Sequence, residues 1–290
     1  MPSLIDLRRR VRSVKNTQQI TKALKMVSAA KLRRAQDRVV RSRPYGGMLR
    51  SVLANLAAAA ALDDEAGRND LLARRDEVNV LLVLITADTG RAGAFNTNLI
   101  KGAQRFIAER PGAAVKLELI GRKGRDFFRK RRAPITGESV GLANKPAYGE
   151  TAAIARRAMD MYRRGEIDAV YVLYNEFKSV ATQKLTVSRV LPVEVPAGSP
   201  AGSGAVDYIF EQTPAEMLNV LLPRYVEMEF FRALIESSAA EHAARMTAME
   251  AATSNAGEMI DKLTLFLNRV RQASITREII EVVSGAAAAG

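Results

Sequence analysis

The most regular alternation of apolar and polar positions in the chain lies toward its carboxyl end. From Leu218, steps of three and four visit Leu221, Tyr225, Met228, Arg232, Ile235, Ala239, His242, Met246, Met249, Thr253, Ala256, Ile260, Leu263, Leu267, Val270 and Ser274, and thirteen of these seventeen positions are apolar. A 3.5-residue period held over eight heptads predicts a left-handed coiled-coil seam. The helix has a marked start: Thr213 as N-cap, Pro214 at the first helical position and Glu216 at the third. Gly285 is its natural stop, and Pro223 predicts a kink near its base.

A second helical pattern opens the chain. Ser3 and Asp6 form a capping-box-like pair, and no breaker follows until Pro44-Tyr45-Gly46-Gly47, where an interruption or kink is expected before Met48–Leu62 carries the helix onward. Its seam reads Leu4, Leu7, Val11, Val14, then polar Gln18 and Thr21, while apolar Ile20, Leu24 and Val27 fall on a shifted face. The two helices flank the middle of the chain, so they can pair antiparallel. About 55 residues of the first span roughly 80 Å and about 71 of the second roughly 106 Å, so about 25 Å of the second would project unpaired. The projecting tip is "ASITREIIEVVSGA", with Ile275, Ile279, Ile280, Val282 and Val283. A lone helix in water does not keep an apolar cluster this dense, so the tip is expected to sit against another protein.

Between the helices the period changes. "VNVLLVLITAD" (78–88), "VKLELIG", "DAVYVLYNEF" and "QKLTVSRVLPVEV" read as strands, with helices over about Phe95–Glu109 and "ETAAIARRAMDMYRRG", and "GRKG" reads as a polar loop. Strands alternating with helices predict an α/β, Rossmann-like domain with a mostly parallel sheet. The expected fold class is therefore mixed α and β. It combines a coiled-coil helix (1–62), an α/β domain (77–195), a Gly/Pro/Ser-rich flexible connector (196–207) and a C-terminal coiled-coil helix with its apolar tip (208–290). The result is a long rod with an α/β knob on one side.

Composition removes several chemistries. The 290 residues contain no Cys and a single histidine, His242, so thiolate metal sites, thiol nucleophiles, His clusters and a Ser-His triad are absent. No phosphate-loop motif occurs, and no cofactor is expected. Gly90 and Gly93 in "TADTGRAGAF" lack dinucleotide spacing and fit a tight strand-to-helix turn instead. The longest Ala-rich apolar run, Ser51–Leu62, is twelve residues, short of the roughly 20 that a membrane span needs. The opening "MPSLIDLRRRVR" has the Arg-rich character of a transit peptide, but Asp6 and the unbroken helical pattern count against it.

Net charge is +13, and residues 1–50 hold fourteen Lys or Arg against two Asp, so the basicity belongs to the first helix. "SVKNTQQITKALKMVSAAKLRRAQDR" alone carries seven cations and one Asp. A solvated helix face is the ordinary reading. A basic coiled coil binding nucleic acid is another, though aromatic interleaving is missing and Gln18, Thr21 and Ala30 dilute any reading face. A small α/β enzyme with helical arms is a third. Neither of these last two needs an unpaired apolar tip.

"SVKNTQQITKALKMVSAAKLRRAQ" and "ARMTAMEAATSNAGEMI…LNRVRQASITREIIEVVSGA" resemble the γ subunits of F-type ATP synthases, and the domain between them is similar in layout, so the resemblance covers the whole chain. It implies a non-catalytic central shaft whose tip turns inside a sleeve of three α and three β subunits. The shaft's foot rests on the c-ring beside the ε subunit, peripheral to a bacterial inner membrane on its cytoplasmic side, with no nucleic acid bound. By the same resemblance Lys22, Leu24 and Lys25 face acidic loops of β, Arg271 and Gln272 form a catch on β, and Tyr208, Phe210 and Glu211 meet the c-ring and ε. Departures exist. The family's D-R-G-L-C-G-x-x-N keeps Asp88, Gly90, Gly93 and Asn96 but has Thr89, Arg91 and Ala92; Pro223 replaces a usual basic residue and Leu267 a usual tyrosine.

Overall fold

The computed structural model describes residues 3–60, 69–194 and 213–289. In chain order they form α1 (Leu4–Ala60), β1 (Asn79–Ile85), α2 (Phe95–Ala108), β2 (Ala114–Ile120), α3 (Arg122–Lys130), β3 (Ile135–Ser139), α4 (Tyr148–Arg163), β4 (Ala169–Phe177), β5 (Gln183–Leu191) and α5 (Pro214–Ala289). Two compact units result, residues 30–244 and residues 1–29 with 245–290, and both terminal helices contribute to each.

The larger unit is built on a sheet ordered β3-β2-β1-β4-β5, parallel throughout except for β4–β5. β1 is apolar without alternation because it is covered on both faces. Leu81, Val83 and Ile85 belong to a core shared with α4, with Leu49, Leu53 and Leu56 of α1, and with Leu218, Leu222, Val226 and Phe230 of α5. Strand alternation sends Leu82 and Leu84 to the other face, which α2 and α3 cover. On β2, Glu118 is buried and paired with Arg157 at 2.5 Å. Burial pushes its carboxyl above the usual range while Arg157 pulls the other way.

Three local expectations change. Pro44, Gly46 and Gly47 do not interrupt α1, which continues to Ala60. Leu49, Leu53 and Leu56 beyond them are buried, and that packing outweighs one lost backbone hydrogen bond and two poor helix formers. Pro223 lies inside α5, within the helical pattern where the sequence puts it. "GRKG" is the start of α3, not a loop, and the strand β3 carries no clear period in its five residues. The first turn of α3 is capped from far away in sequence: Asp88 Oδ1 accepts from Arg122 N at 3.1 Å, the Ala87 carbonyl from Lys123 N at 3.1 Å, and Thr86 Oγ1 from Gly124 N at 2.9 Å. Entry to that turn is through Gly121 at φ +97°, where a Cβ would overlap the Thr86 carbonyl oxygen.

In the smaller unit α1 and α5 run antiparallel. Both helices begin with capping boxes: Ser3 Oγ accepts from Asp6 N at 3.1 Å, and Thr213 Oγ1 from Glu216 N at 3.4 Å. The side of α1 turned to α5 is Leu4, Leu7, Val11, Val14, Gln18, Thr21, Lys25 and Ser28, a strict heptad row through apolar and polar residues alike. The shifted apolar row is left outside, with Ile20 at 59% and Val27 at 53% exposure. On α5 the partly or fully buried row is Met246, Met249, Thr253, Ala256, Ile260, Leu263, Leu267, Val270 and Ser274, as the period predicts.

Two outcomes are expected from this packing. Gly121→Ala should lower unfolding stability by about 2–4 kcal/mol through positive φ and the Thr86 overlap, whereas Gly112→Ala, with nothing within 4 Å, should stay within about 0.5 kcal/mol in urea titration. Leu7→Ala, at a site only 2% exposed, should cost about 2–5 kcal/mol of local opening free energy by amide exchange. Val27→Ala should leave that exchange unchanged.

Candidate subunit interface

The middle of the helix pair is polar where most coiled coils are greasy. Thr21 and Thr253 place their hydroxyls 2.8 Å apart, each also close to a carbonyl one turn back, Gln18 O at 3.0 Å and Met249 O at 2.7 Å. Gln18 Nε2 approaches the Thr253 carbonyl at 3.5 Å. Gly257 faces Gln18, and a Cβ there would stand 3.2 Å from its amide nitrogen.

Lys25 continues the row with an ion pair to Glu250 at 2.6 Å, its side chain 38% exposed and that of Glu250 59%. At that exposure the pair contributes about 1 kcal/mol at most. Lys22 is exposed and Leu24 half-buried. Of the three residues expected at a β contact, Lys25 is turned to α5, Lys22 is exposed beside it, and Leu24 is half-buried at the edge of the seam. Lys22 and Lys25 line a groove of about 680 Å³ whose other wall carries Glu250, Glu258 and Asp261.

At the far end, the last partly buried residue among those described on α5 is Ser274. Arg271 and Gln272 are exposed, and the Gln272 carbonyl accepts from Thr276 Oγ1 at 2.9 Å, so their side chains stay available. Ile275, Ile279, Ile280, Val282 and Val283 are between 47% and 71% exposed. A further groove of about 630 Å³ lies between Leu4, Ile5 and Arg8 of α1 and Arg269, Val270 and Arg277 of α5.

Sequence reasoning passed over Met26, Met259, Leu265 and Phe266, which are also exposed. Their signal was present: they are apolar residues standing off both seams. The expected foot residues Tyr208, Phe210 and Glu211, like the connector 196–207, lie outside the described residues. No described helix is long and apolar enough to cross a membrane. After β1, the retained residues build the turn: Asn96 Oδ1 accepts from Ala87 N at 2.9 Å, Asp88 Oδ1 also accepts from Gly141 N at 3.0 Å, and Gly93 has φ +56°. Of the substituted residues, Arg91 takes φ +64° and Ala92 is buried.

The profile of the ATP synthase family matches residues 3–289. A chain named ATP synthase gamma chain from Solibacter usitatus (strain Ellin6076) is 70% identical over 289 residues, covering 100% of both. Another of that name, from Anaeromyxobacter sp. (strain Fw109-5), is 50% identical over 99% of both. Among solved structures, the Euglena gracilis mitochondrial ATP synthase OSCP/F1/c-ring assembly in rotational state 3 contains a chain with TM-score 0.66 and 20% identity, covering 98% of this chain and 94% of that one. The Tetrahymena thermophila mitochondrial ATP synthase central stalk and c-ring contains one with TM-score 0.59 and 23% identity, covering 80% and 99%. At these identities the structural likeness speaks to fold alone, whereas the sequence matches run the length of the molecule: the chain belongs to the ATP synthase gamma-chain family.

Proposed function

We propose that this chain is the central-stalk rotor subunit of an ATP synthase, a non-catalytic shaft that transmits ion-driven rotation of a c-ring to the catalytic β subunits. The observation that carries the reading is the apolar tip. Covering five such side chains, each about half to two-thirds exposed, would contribute roughly 4–9 kcal/mol at about 1.5–3 kcal/mol per fully buried side chain. Among the described residues of the smaller unit nothing covers them, which supports a sleeve of three α and three β subunits as their surroundings.

The rotor acts by bias and not by bond chemistry. An asymmetric shaft favours a different conformation of each β subunit at each angle, and turning it exchanges those preferences in order. Arg271 and Gln272, exposed just below the tip, suit a catch on β because a guanidinium fork binds carboxylates in two-pronged fashion. Lys22, with no ion pair among the described residues, would be the cation toward acidic β loops, with Lys25 reaching them only when it leaves Glu250. Tyr208, Phe210 and Glu211 would form the foot toward the c-ring and ε. The complex would hold the chain at the cytoplasmic face of a bacterial inner membrane, without direct insertion.

Co-expression with the α and β subunits of its source, read by native mass spectrometry and ATPase assay, tests this. One copy per three α and three β is expected, and ATP synthesis by the membrane-bound complex should fall several-fold in an Ile279→Ser/Ile280→Ser variant that still assembles. A chain that stays outside the αβ assembly would refute the rotor reading.

A further inference from the structure

The cations of α1 are not evenly solvated. Leu32, Ala35 and Val39 are buried, and Lys31, Arg34 and Arg38 form the row immediately beside them, at spacings of three and four that place them on one helix face. Lys145, from the loop before α4, joins them around a groove of about 380 Å³. The small Ala35 and the buried Ser238 of α5 line its floor, and Asn144 its rim. Carboxylates are absent from the lining, and none of the four cationic side chains makes an ion pair among the described residues. Elsewhere in this unit arginines do find acids, as in Arg129–Glu138 and Arg156–Glu227 at 2.6 Å.

Four uncompensated cations converging on one concave site repel each other unless an anion joins them. We infer that this groove binds a multivalent phosphate, either an inorganic phosphate chain or that of a nucleotide. The volume falls in the range of small-ligand pockets, roughly 300–1,000 Å³. Arg34 and Arg38 stand one helical turn apart, about 6 Å along the axis, so their guanidinium forks can hold one phosphoryl group between them. Lys31 lies about 10 Å from Arg38 along the axis, a span that two linked phosphoryl groups fill better than one. Ser238 and Asn144 supply neutral donors of the kind phosphate oxygens use. Surface exposure of the cations makes the interaction salt-sensitive. This site is separate from the tip and the catch, and stands or falls independently of the rotor reading.

The test is isothermal titration of the full chain with pyrophosphate and, in parallel, with ADP, at low and moderate salt. Saturable binding with one site per chain is expected, weakening by on the order of tenfold in Arg34→Gln/Arg38→Gln. It should hardly change in Arg9→Gln/Arg12→Gln, which removes the same charge from α1 outside the groove. Tighter binding of ADP would assign a nucleotide, and equal binding the bare phosphate chain. Lys145→Gln provides a second variant, off the helix, should the double change disturb folding as read by circular dichroism. Failure to saturate in the millimolar range, equal loss in both double variants, or a polyglutamate peptide that binds and is not displaced by pyrophosphate would each overturn the site.

Discussion

A helix that buries one side chain in every three or four steps has to find a partner with the same period, and α1 and α5 meet this demand from opposite ends of the chain. The requirement reaches beyond the helices. It brings the ends of the α/β insert together, lets Leu49, Leu53 and Leu56 of α1 and the base of α5 cover one face of the sheet, and carries α1 through Pro44, Gly46 and Gly47 without a break. A local breaker costs a few kcal/mol. The packing that continues on both sides of it is worth more.

The same row explains why the middle of the smaller unit is polar. Period alone keeps Gln18, Thr21, Lys25 and Ser28 turned to α5, although Ile20 and Val27 nearby would bury more apolar surface. Rotating α1 to bury them would break the register at Leu4, Leu7, Val11 and Val14. The polar positions are satisfied through Thr21–Thr253 and Lys25–Glu250. A hydrogen-bonded polar layer in a coiled coil fixes alignment at some expense of stability. For the rotor role proposed above, a fixed axial register has an evident use.

Charge follows a different logic in each unit. Beside the polar row, cations face acids across a groove, with Lys22 and Lys25 opposite Glu250, Glu258 and Asp261. Around the groove at Lys31, Arg34, Arg38 and Lys145 they face no acid. The basic stretch that stands out in the sequence is thus two surfaces with different consequences: one lined by cations and acids together, with Lys25 paired to Glu250, the other lined by cations and no acid.

The sequence by itself determined the coiled-coil row of α5 from Met246 to Ser274, both capping boxes, the parallel character of the sheet and the apolar tip. Each rests on contacts or periods spanning a few residues, so each is written locally. Tertiary structure alone decided three other things. It turned "GRKG" into the first turn of α3, because the caps come from Thr86, Ala87 and Asp88, more than thirty residues earlier. It sent Lys25 to Glu250 instead of to solvent with Lys22, because a lysine's direction depends on which row of the helix meets the partner. It also gathered Lys145 with the cations of α1. These are interactions between groups far apart along the chain, where a local pattern carries no signal and only the packed fold sets the distance.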